Sequence, residues 1–243
     1  MERQRVRMLD ILRGGAMVLV IVYHVLYDLV FIKGVVLPLW LTPYEPVVEA
    51  VHTGFLWVLF AVSGVCSGYS RNLLRRGVWL SLIGYVITAV TVLWLPEYSI
   101  VFGVLSCFGG CMILTALCCK VLDAIPWPIM TALSILLWII FMDFSKGVLH
   151  LLFTDVTIAL PNVEYLYPLG IVSDGFYSID YFPLIPFAFM FWAGRGLYRP
   201  IAKQQFPKWF YQAKCSVLEF VGRHSLLIYA VHQPILLVVF MVV

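Results

Sequence analysis

Charge is scarce in this chain. Of 243 residues, 12% are Asp, Glu, Lys or Arg and 63% are hydrophobic, with a mean hydropathy of +0.97. A water-soluble domain of this length cannot bury so much apolar surface, which excludes the soluble globular classes. The apolar runs also lack the alternation of a transmembrane barrel, which leaves an all-α polytopic membrane protein. No internal repeat is visible, so an inverted-repeat transporter finds no support. Neither a low-complexity tract nor a compositional break marks a second domain, and residues 1–243 read as a single transmembrane domain. The first apolar segment is too long for a cleaved leader and is followed by further spans. Cys66, Cys107, Cys111, Cys118, Cys119 and Cys215 show no zinc spacing and no secretory disulfide pattern. They read as small buried hydrophobes, so no metal is expected, and no nucleic-acid partner either.

The long apolar runs predict seven spans, near residues 8–31, 47–69, 78–95, 100–121, 129–145, 181–197 and 217–242. Pro96, Pro126 and Pro128 punctuate the middle of the set. The Lys/Arg bias of the loops sets the orientation. A cytoplasmic N-terminus places Arg3, Arg5, Arg7, Arg71, Arg75, Arg76, Lys120, Arg195, Arg199, Lys203, Lys208, Lys214 and Arg223 inside, and only Lys33 and Lys146 outside. The segment 154–180, acidic and rich in Tyr, Pro and Gly, then reads as a structured outer lid or substrate mouth.

The informative residues are those that break the apolarity. The first span carries Asp10, Arg13, His24 and Asp28, and ionisable groups within a span are costly and usually functional. At about 100° per residue Asp10 and Asp28 return to the same angle, with Arg13, Met17 and His24 within roughly 60° of them. One polar stripe therefore runs the length of the helix. Arg13 and His24 lie about 16 Å apart along the axis, which puts Arg13 near one membrane surface and His24 about halfway through a core of roughly 30 Å. Asp10 and Arg13 can pair at i, i+3; the pair reads equally as an interfacial anchor or as a guanidinium held for an anion. His24 and Asp28 stand at i and i+4. A carboxylate on one imidazole nitrogen would fix the tautomer and leave the other nitrogen as a base, the alternative being a polar pair that glues helices.

Elsewhere the polar residues are more ambiguous. Ser63-Gly64, Ser67-Gly68 and Cys107-Phe-Gly-Gly110 read best as close helix packing. Asp180 and Tyr181 suit a polar substrate, or equally a helix cap and an interfacial aromatic. Ser225, Tyr229 and His232 share a face of the last span, ahead of Gln233 and Pro234. They read as polar groups pairing across a proline kink, or as a second wall opposite His24. His52, flanked by Glu45 and Glu49, reads as a solvated interfacial cluster.

Six stretches, taken in order, carry a resemblance: Arg7 to Asp28, Ser63-Gly64, Phe102-Gly-Val-Leu105, Tyr167-Pro-Leu-Gly170, Asp180-Tyr-Phe-Pro-Leu-Ile-Pro186 and Gly222-Arg-His-Ser-Leu-Leu-Ile-Tyr-Ala-Val-His-Gln-Pro234. Together they resemble the compact bacterial branch of the heparan-alpha-glucosaminide N-acetyltransferase catalytic-domain family, over nearly the whole chain. Arg13 and His24 also match the arginine, ten residues, histidine pattern of the wider transmembrane acyltransferase group. That resemblance implies a multi-pass protein of the bacterial cytoplasmic membrane in which a histidine is the catalytic base. Acetyl-CoA or another acyl-CoA is then the cytoplasmic co-substrate, and a glycan or small-molecule hydroxyl or amine is met on the outer side. Two departures stand out. The surroundings of His52 do not match the motif that holds the catalytic histidine of the heparan enzymes, and Ser106 stands where family members often carry His.

These readings together predict a membrane-embedded acyltransferase. His24 and Asp28 would be catalytic. Arg13, Arg71, Arg75, Arg76 and Arg195 would meet the acyl-CoA phosphates, and Asp10, Ser63, Asp180, Tyr229, His232 and Gln233 would line the substrate path. The partners expected are the lipid bilayer and the acceptor, with association between copies of the chain left open. The rival reading is a proton-coupled permease that uses the same intramembrane Asp/His relay.

Overall fold

The computed structural model describes residues 5–43, 45–151 and 153–242; Arg3 lies outside them. Nine α-helices are described: α1 (Arg7–Phe31), α2 (Pro46–Ser67), α3 (Leu73–Trp94), α4 (Val104–Ala124), α5 (Trp127–Phe141), α6 (Leu184–Ala202), α7 (Lys208–Gln212), α8 (Ser216–Arg223) and α9 (Ser225–Val242). The prolines act as the sequence suggests. α3 stops at Leu95, directly before Pro96, because proline disfavours helical backbone in the residue preceding it. α5 starts after Pro126 with Pro128 in its first turn, where a missing N–H costs nothing.

The chain divides into two compact units, Met1–Val62 with Ile201–Val243, and Ser63–Pro200. In the first unit α1 buries Leu9, Asp10, Gly14, Ala16, Met17, Val20 and Asp28. Its first half packs on α8 so closely that a Cβ on Gly14 would lie 2.0 Å from the Leu218 carbonyl oxygen, and one on Gly222 would lie 1.9 Å from the Asp10 carbonyl oxygen. Only glycine permits that approach of two backbones. The second half of α1 packs against α9. Between α8 and α9 the chain bends by 83°, and the His224 N–H closes α8 on the Phe220 and Val221 carbonyls. The last span, expected over 217–242 with a kink at Pro234, is thus a bent helix pair whose break lies at His224: α8 is held against α1 by its glycine seam, and α9 leaves in a new direction.

The second unit is built on similar seams. A Cβ on Gly77 would meet the Gly109 carbonyl at 2.9 Å and one on Gly84 the Ser106 hydroxyl at 2.3 Å, which sets α3 against α4. Gly64 places the end of α2 on the Phe191 carbonyl of α6, and Gly68 sits against the Tyr198 ring. The small residues read as packing positions are packing positions. Trp192 on α6 donates from Nε1 to the Thr115 hydroxyl of α4 at 2.9 Å. After α5 comes an antiparallel hairpin, β1 (Val148–Leu151) and β2 (Thr154–Thr157), with His150 opposite Asp155. This hairpin is a departure from the all-α expectation. α5, expected to reach residue 145, ends at Phe141 ahead of Asp143, and Gly147 in the left-handed region (φ 72°) turns the chain into the first strand. The segment that follows is ordered as expected: Asn162 bonds Asp174 at 2.6 Å, and the Tyr181 hydroxyl donates to the Tyr167 carbonyl at 2.6 Å.

Among the described residues five helical stretches are long and apolar enough to cross a membrane: Arg7–Phe31, Leu39–Ser67, Leu73–Trp94, Val104–Ala124 and Trp127–Lys146. The bent pair α8 and α9 makes six if it counts as one span. The sixth expected span, 181–197, which is α6, is not among them. It is helical over nearly the expected range, but Arg195, Arg199, Pro186 and Pro200 dilute its apolar character.

Candidate active site

The site grows out of the polar stripe on α1. His24 lies one turn beyond Val20, and its Nδ1 stands 2.8 Å from the Val20 carbonyl oxygen. A carbonyl only accepts, so Nδ1 carries the proton and Nε2 keeps its lone pair. The tautomer expected from Asp28 is therefore set by the helix itself, which is a correction to its orienting role. Asp28, 2% exposed, instead accepts from Gln233 Nε2 of α9 at 3.4 Å on each carboxylate oxygen.

His232 repeats the arrangement from the opposite helix. Its Nδ1 meets the Tyr229 carbonyl at 2.7 Å, its ring centroid lies 4.8 Å from that of His24 at 83°, and the Tyr229 ring flanks it at 5.1 Å. His232 is 7% exposed, and its Nε2 is buried without a hydrogen-bond partner among the described residues, as is Gln233 Oε1. The same carbonyl argument makes the His232 Nε2 an acceptor. The cluster thus presents the Nε2 lone pairs of His24 and His232, the free oxygen of Gln233 and the Asp28 carboxylate. All are acceptors, and buried acceptors without donors are costly to leave unmet.

A third histidine joins them. His52 on α2 stacks on Tyr23 with ring centroids 3.8 Å apart and planes 9° from parallel, and its ring lies 6.3 Å from that of His24 at 81°. The flanking Glu45 and Glu49 point instead to a solvated His52, and the structure differs because the Tyr23 ring covers it. The available signal was Tyr23, the neighbour of His24, and it shows only once the two helices are placed side by side.

The first turn of α1 holds another correction. Asp10, 7% exposed, pairs with Arg5 rather than Arg13, through Nε at 2.6 Å and Nη2 at 3.0 Å. Arg5 precedes the Val6 N-cap of α1, so the i, i+3 logic that suggested Arg13 did not reach it. Half-buried Arg13 makes no hydrogen bond or ion pair among the described residues. Arg71, Arg75 and Arg76 are exposed near the start of α3.

In the second unit Arg195 donates to both Asp123 oxygens at 3.0 Å and lies 3.4 Å from the Ser67 hydroxyl. Its guanidinium also sits 5.7 Å from the Tyr198 ring centre. Its charge is already balanced, an interaction across 72 residues of sequence that no local pattern displays. Ser63 is half-buried on α2. Asp180 stands at the start of α4: a Cβ on Gly103 would lie 2.9 Å from its Oδ2. A carboxylate there suits the dipole of α4, although the α4 start has no side-chain cap, and the expected cap belonged to α6 instead. Among the described residues no group of three or more His, Cys, Asp or Glu is arranged to hold a metal ion, and all six cysteines are free.

The six stretches quoted from the sequence fall on these features: α1 with its stripe, the α2 seam, the start of α4, the segment before α6, and the broken α8–α9 pair. Compared with known families, residues 5–234 match the family described as heparan-alpha-glucosaminide N-acetyltransferase, catalytic. No curated protein and no solved structure matches the chain.

Proposed function

Because the chain belongs to the heparan-alpha-glucosaminide N-acetyltransferase catalytic family, we propose that it is a membrane-embedded acyltransferase that moves an acyl group, acetyl in the first instance, from acyl-CoA to an amine of a sugar-like acceptor. Membership in a transferase family does not favour the proton-coupled permease. The observation that carries the finer reading is the set of unmet acceptors on α1 and α9: His232 Nε2 and Gln233 Oε1, buried without partners, beside the buried Asp28 and the open Nε2 of His24. An ammonium group, with three N–H donors and a positive charge, satisfies such a set; a hydroxyl has one donor to offer. The preference for an amine over a hydroxyl rests on that count.

In this reading the acceptor nitrogen, once deprotonated, attacks the thioester carbonyl of the acyl-CoA. The C–S bond breaks, the amide forms and the thiolate leaves. His24 Nε2 takes a proton from the attacking nitrogen and returns it to the departing thiolate. Asp28, steadied by Gln233, balances the charge of the ammonium and then of the imidazolium. His232 holds the amine. With the N-terminus cytoplasmic, Arg13 of the first unit makes no ion pair among the described residues and is proposed for the CoA phosphates; Arg71, Arg75 and Arg76 of the second unit are exposed and are proposed for the same role, whereas Arg195 is neutralised by Asp123. The setting is then a multi-pass protein in a bacterial cytoplasmic membrane, with the acceptor met on the outer side.

The test is transfer of label from acyl-labelled acetyl-CoA by the purified protein to paired acceptors, each an amino sugar and its hydroxyl counterpart. Label should pass to the amines, and His24→Ala should lower the rate by about 10²–10⁴-fold. Transfer to the hydroxyl sugars alone would overturn the amine reading, and no consumption of acyl-CoA with any acceptor would overturn the enzyme. A His24→Ala protein as fast as wild type would remove His24 as the base.

A further inference from the structure

The proposed reaction leaves a proton to be disposed of. An ammonium and an acyl thioester give an amide, a thiol and one H⁺: R–NH3⁺ and acyl–S–CoA become R–NH–acyl, HS–CoA and H⁺. The nitrogen loses two protons in all. One ends on the thiolate sulfur, and the other has to reach water. His24 accepts at one atom only, because its Nδ1 is bound to the Val20 carbonyl at 2.8 Å. It therefore cannot hold both protons or pass one on through the far side of the ring.

His232 is the nearer histidine, but it offers no exit. Its Nδ1 is bound to the Tyr229 carbonyl and its Nε2 is sealed from solvent. His52 differs in both respects. It is half-buried rather than buried, and neither ring nitrogen makes a hydrogen bond among the described residues. It lies near the start of α2, two turns from Pro46. Parallel stacking on Tyr23 at 3.8 Å fixes its ring plane, with the His24 ring edge-on at 6.3 Å. A centroid separation of that size is too long for a direct hydrogen bond and leaves room for a proton to pass by way of one water molecule.

Resting on the acyltransfer reading, we propose that His52 is the proton outlet of the site, taking the surplus proton from His24 and releasing it to water at the α2 start. The ionisable groups around it are Tyr23 and His24 of α1, Asp28 one turn further along α1, His232 of α9 beyond the His24 ring, and Glu49 on its own helix three residues earlier. Glu49 is exposed and offers the released proton a path to bulk solvent. His52 acts through His24 and touches no reacting atom, so it is a positioning residue in the proton path.

The experiment compares wild type with His52→Phe, which keeps an aromatic ring against Tyr23, and His52→Gln. The readouts are kcat, KM for the amine, the pH profile of kcat and the solvent deuterium isotope effect, with and without added imidazole. Both variants should lose roughly 10–100-fold in kcat, at or below the low end of acid–base effects, with KM little changed. Their rates should rise with buffer concentration, and imidazole should restore a large part of the loss. Rescue in the same sample shows that the protein is folded. Unaltered kcat, pH profile and isotope effect in both variants overturn the outlet while leaving the acyltransferase standing. A loss that imidazole does not restore, or one confined to KM, also overturns it. A wild type that transfers no acyl group brings down the acyltransfer reading, and the outlet falls with it.

Discussion

Two histidine clusters in this molecule are built in opposite ways. His150 on the hairpin has both ring nitrogens occupied by carboxylates, Nδ1 by Asp155 and Nε2 by Asp143, each at 2.8 Å. Lys146 completes the group on Asp143 at 2.7 Å. Two acceptors on two nitrogens require two N–H groups, so the arrangement is complete only with an imidazolium. His24 and His232 each spend one nitrogen on a carbonyl of their own helix and leave the other open. The first pattern is a fastening, with every group answered from within the chain. The second leaves buried acceptors unanswered, at a cost of about 1–3 kcal/mol each when no partner arrives. On the proposed function such a debit is settled by the acceptor amine, and the two patterns then separate a histidine that fastens structure from one kept open for a ligand.

The open cluster depends on the α1–α8 seam, and that dependence is the strongest way to break the contrast. Gly222→Val would drive a side chain into the Asp10 carbonyl, where even a Cβ stands at 1.9 Å. The backbones must separate, at the upper end of overpacking costs, about 3 kcal/mol. The expected result is a lower unfolding midpoint in detergent and loss of acyl transfer together. Hydrogen exchange of the β1–β2 amides should stay as in wild type. A normal midpoint with full activity would show that the seam does not hold the site.

Part of this organisation was legible in the sequence. The period of 3.6 residues gave the α1 stripe, and apolar run length gave most helix boundaries to within a few residues. What stayed hidden shares one physical property: it is made by contacts distant in sequence or by a change of direction. The Arg195–Asp123 pair spans 72 residues. The α8–α9 bend follows from a glycine pressed against α1, and hydropathy alone reads straight through it. His52 looked solvated beside Glu45 and Glu49 because nothing local announces that Tyr23 covers it. Asp10 found Arg5 rather than Arg13 because a residue before the helix start escapes helical spacing.

His232→Leu sharpens the contrast by removing an unanswered acceptor. If His232 is kept for a ligand, its loss should leave stability unchanged or raise it by about 1 kcal/mol, since the buried acceptor goes with it. KM for the amine should rise by up to about tenfold, the worth of one hydrogen bond. Thermal unfolding and steady-state kinetics on the same preparation read both. Destabilisation beyond about 2 kcal/mol with an unchanged KM would mark His232 as a structural fastening, like His150, and not a ligand site.

The smallest effect belongs to the fastened cluster and carries its own pH signature. The Asp143 carboxylate first, then Asp155, raises the His150 pKa above its ordinary 6.5. A pKa raised by folding means that the folded hairpin binds the proton more tightly than the unfolded segment does. The stabilisation is therefore fully present below about 6.5, the unfolded value, and is lost as pH rises through the higher folded one. Protection of the β1–β2 amides, measured by hydrogen exchange and referenced at each pH to His150→Gln, should exceed that of the variant at low pH and converge with it at high pH. Acyl transfer should be the same in both proteins, because this histidine has no open nitrogen to offer a substrate. A difference in protection that grows with rising pH would reverse the sign and show that the neutral imidazole is the form the two carboxylates hold.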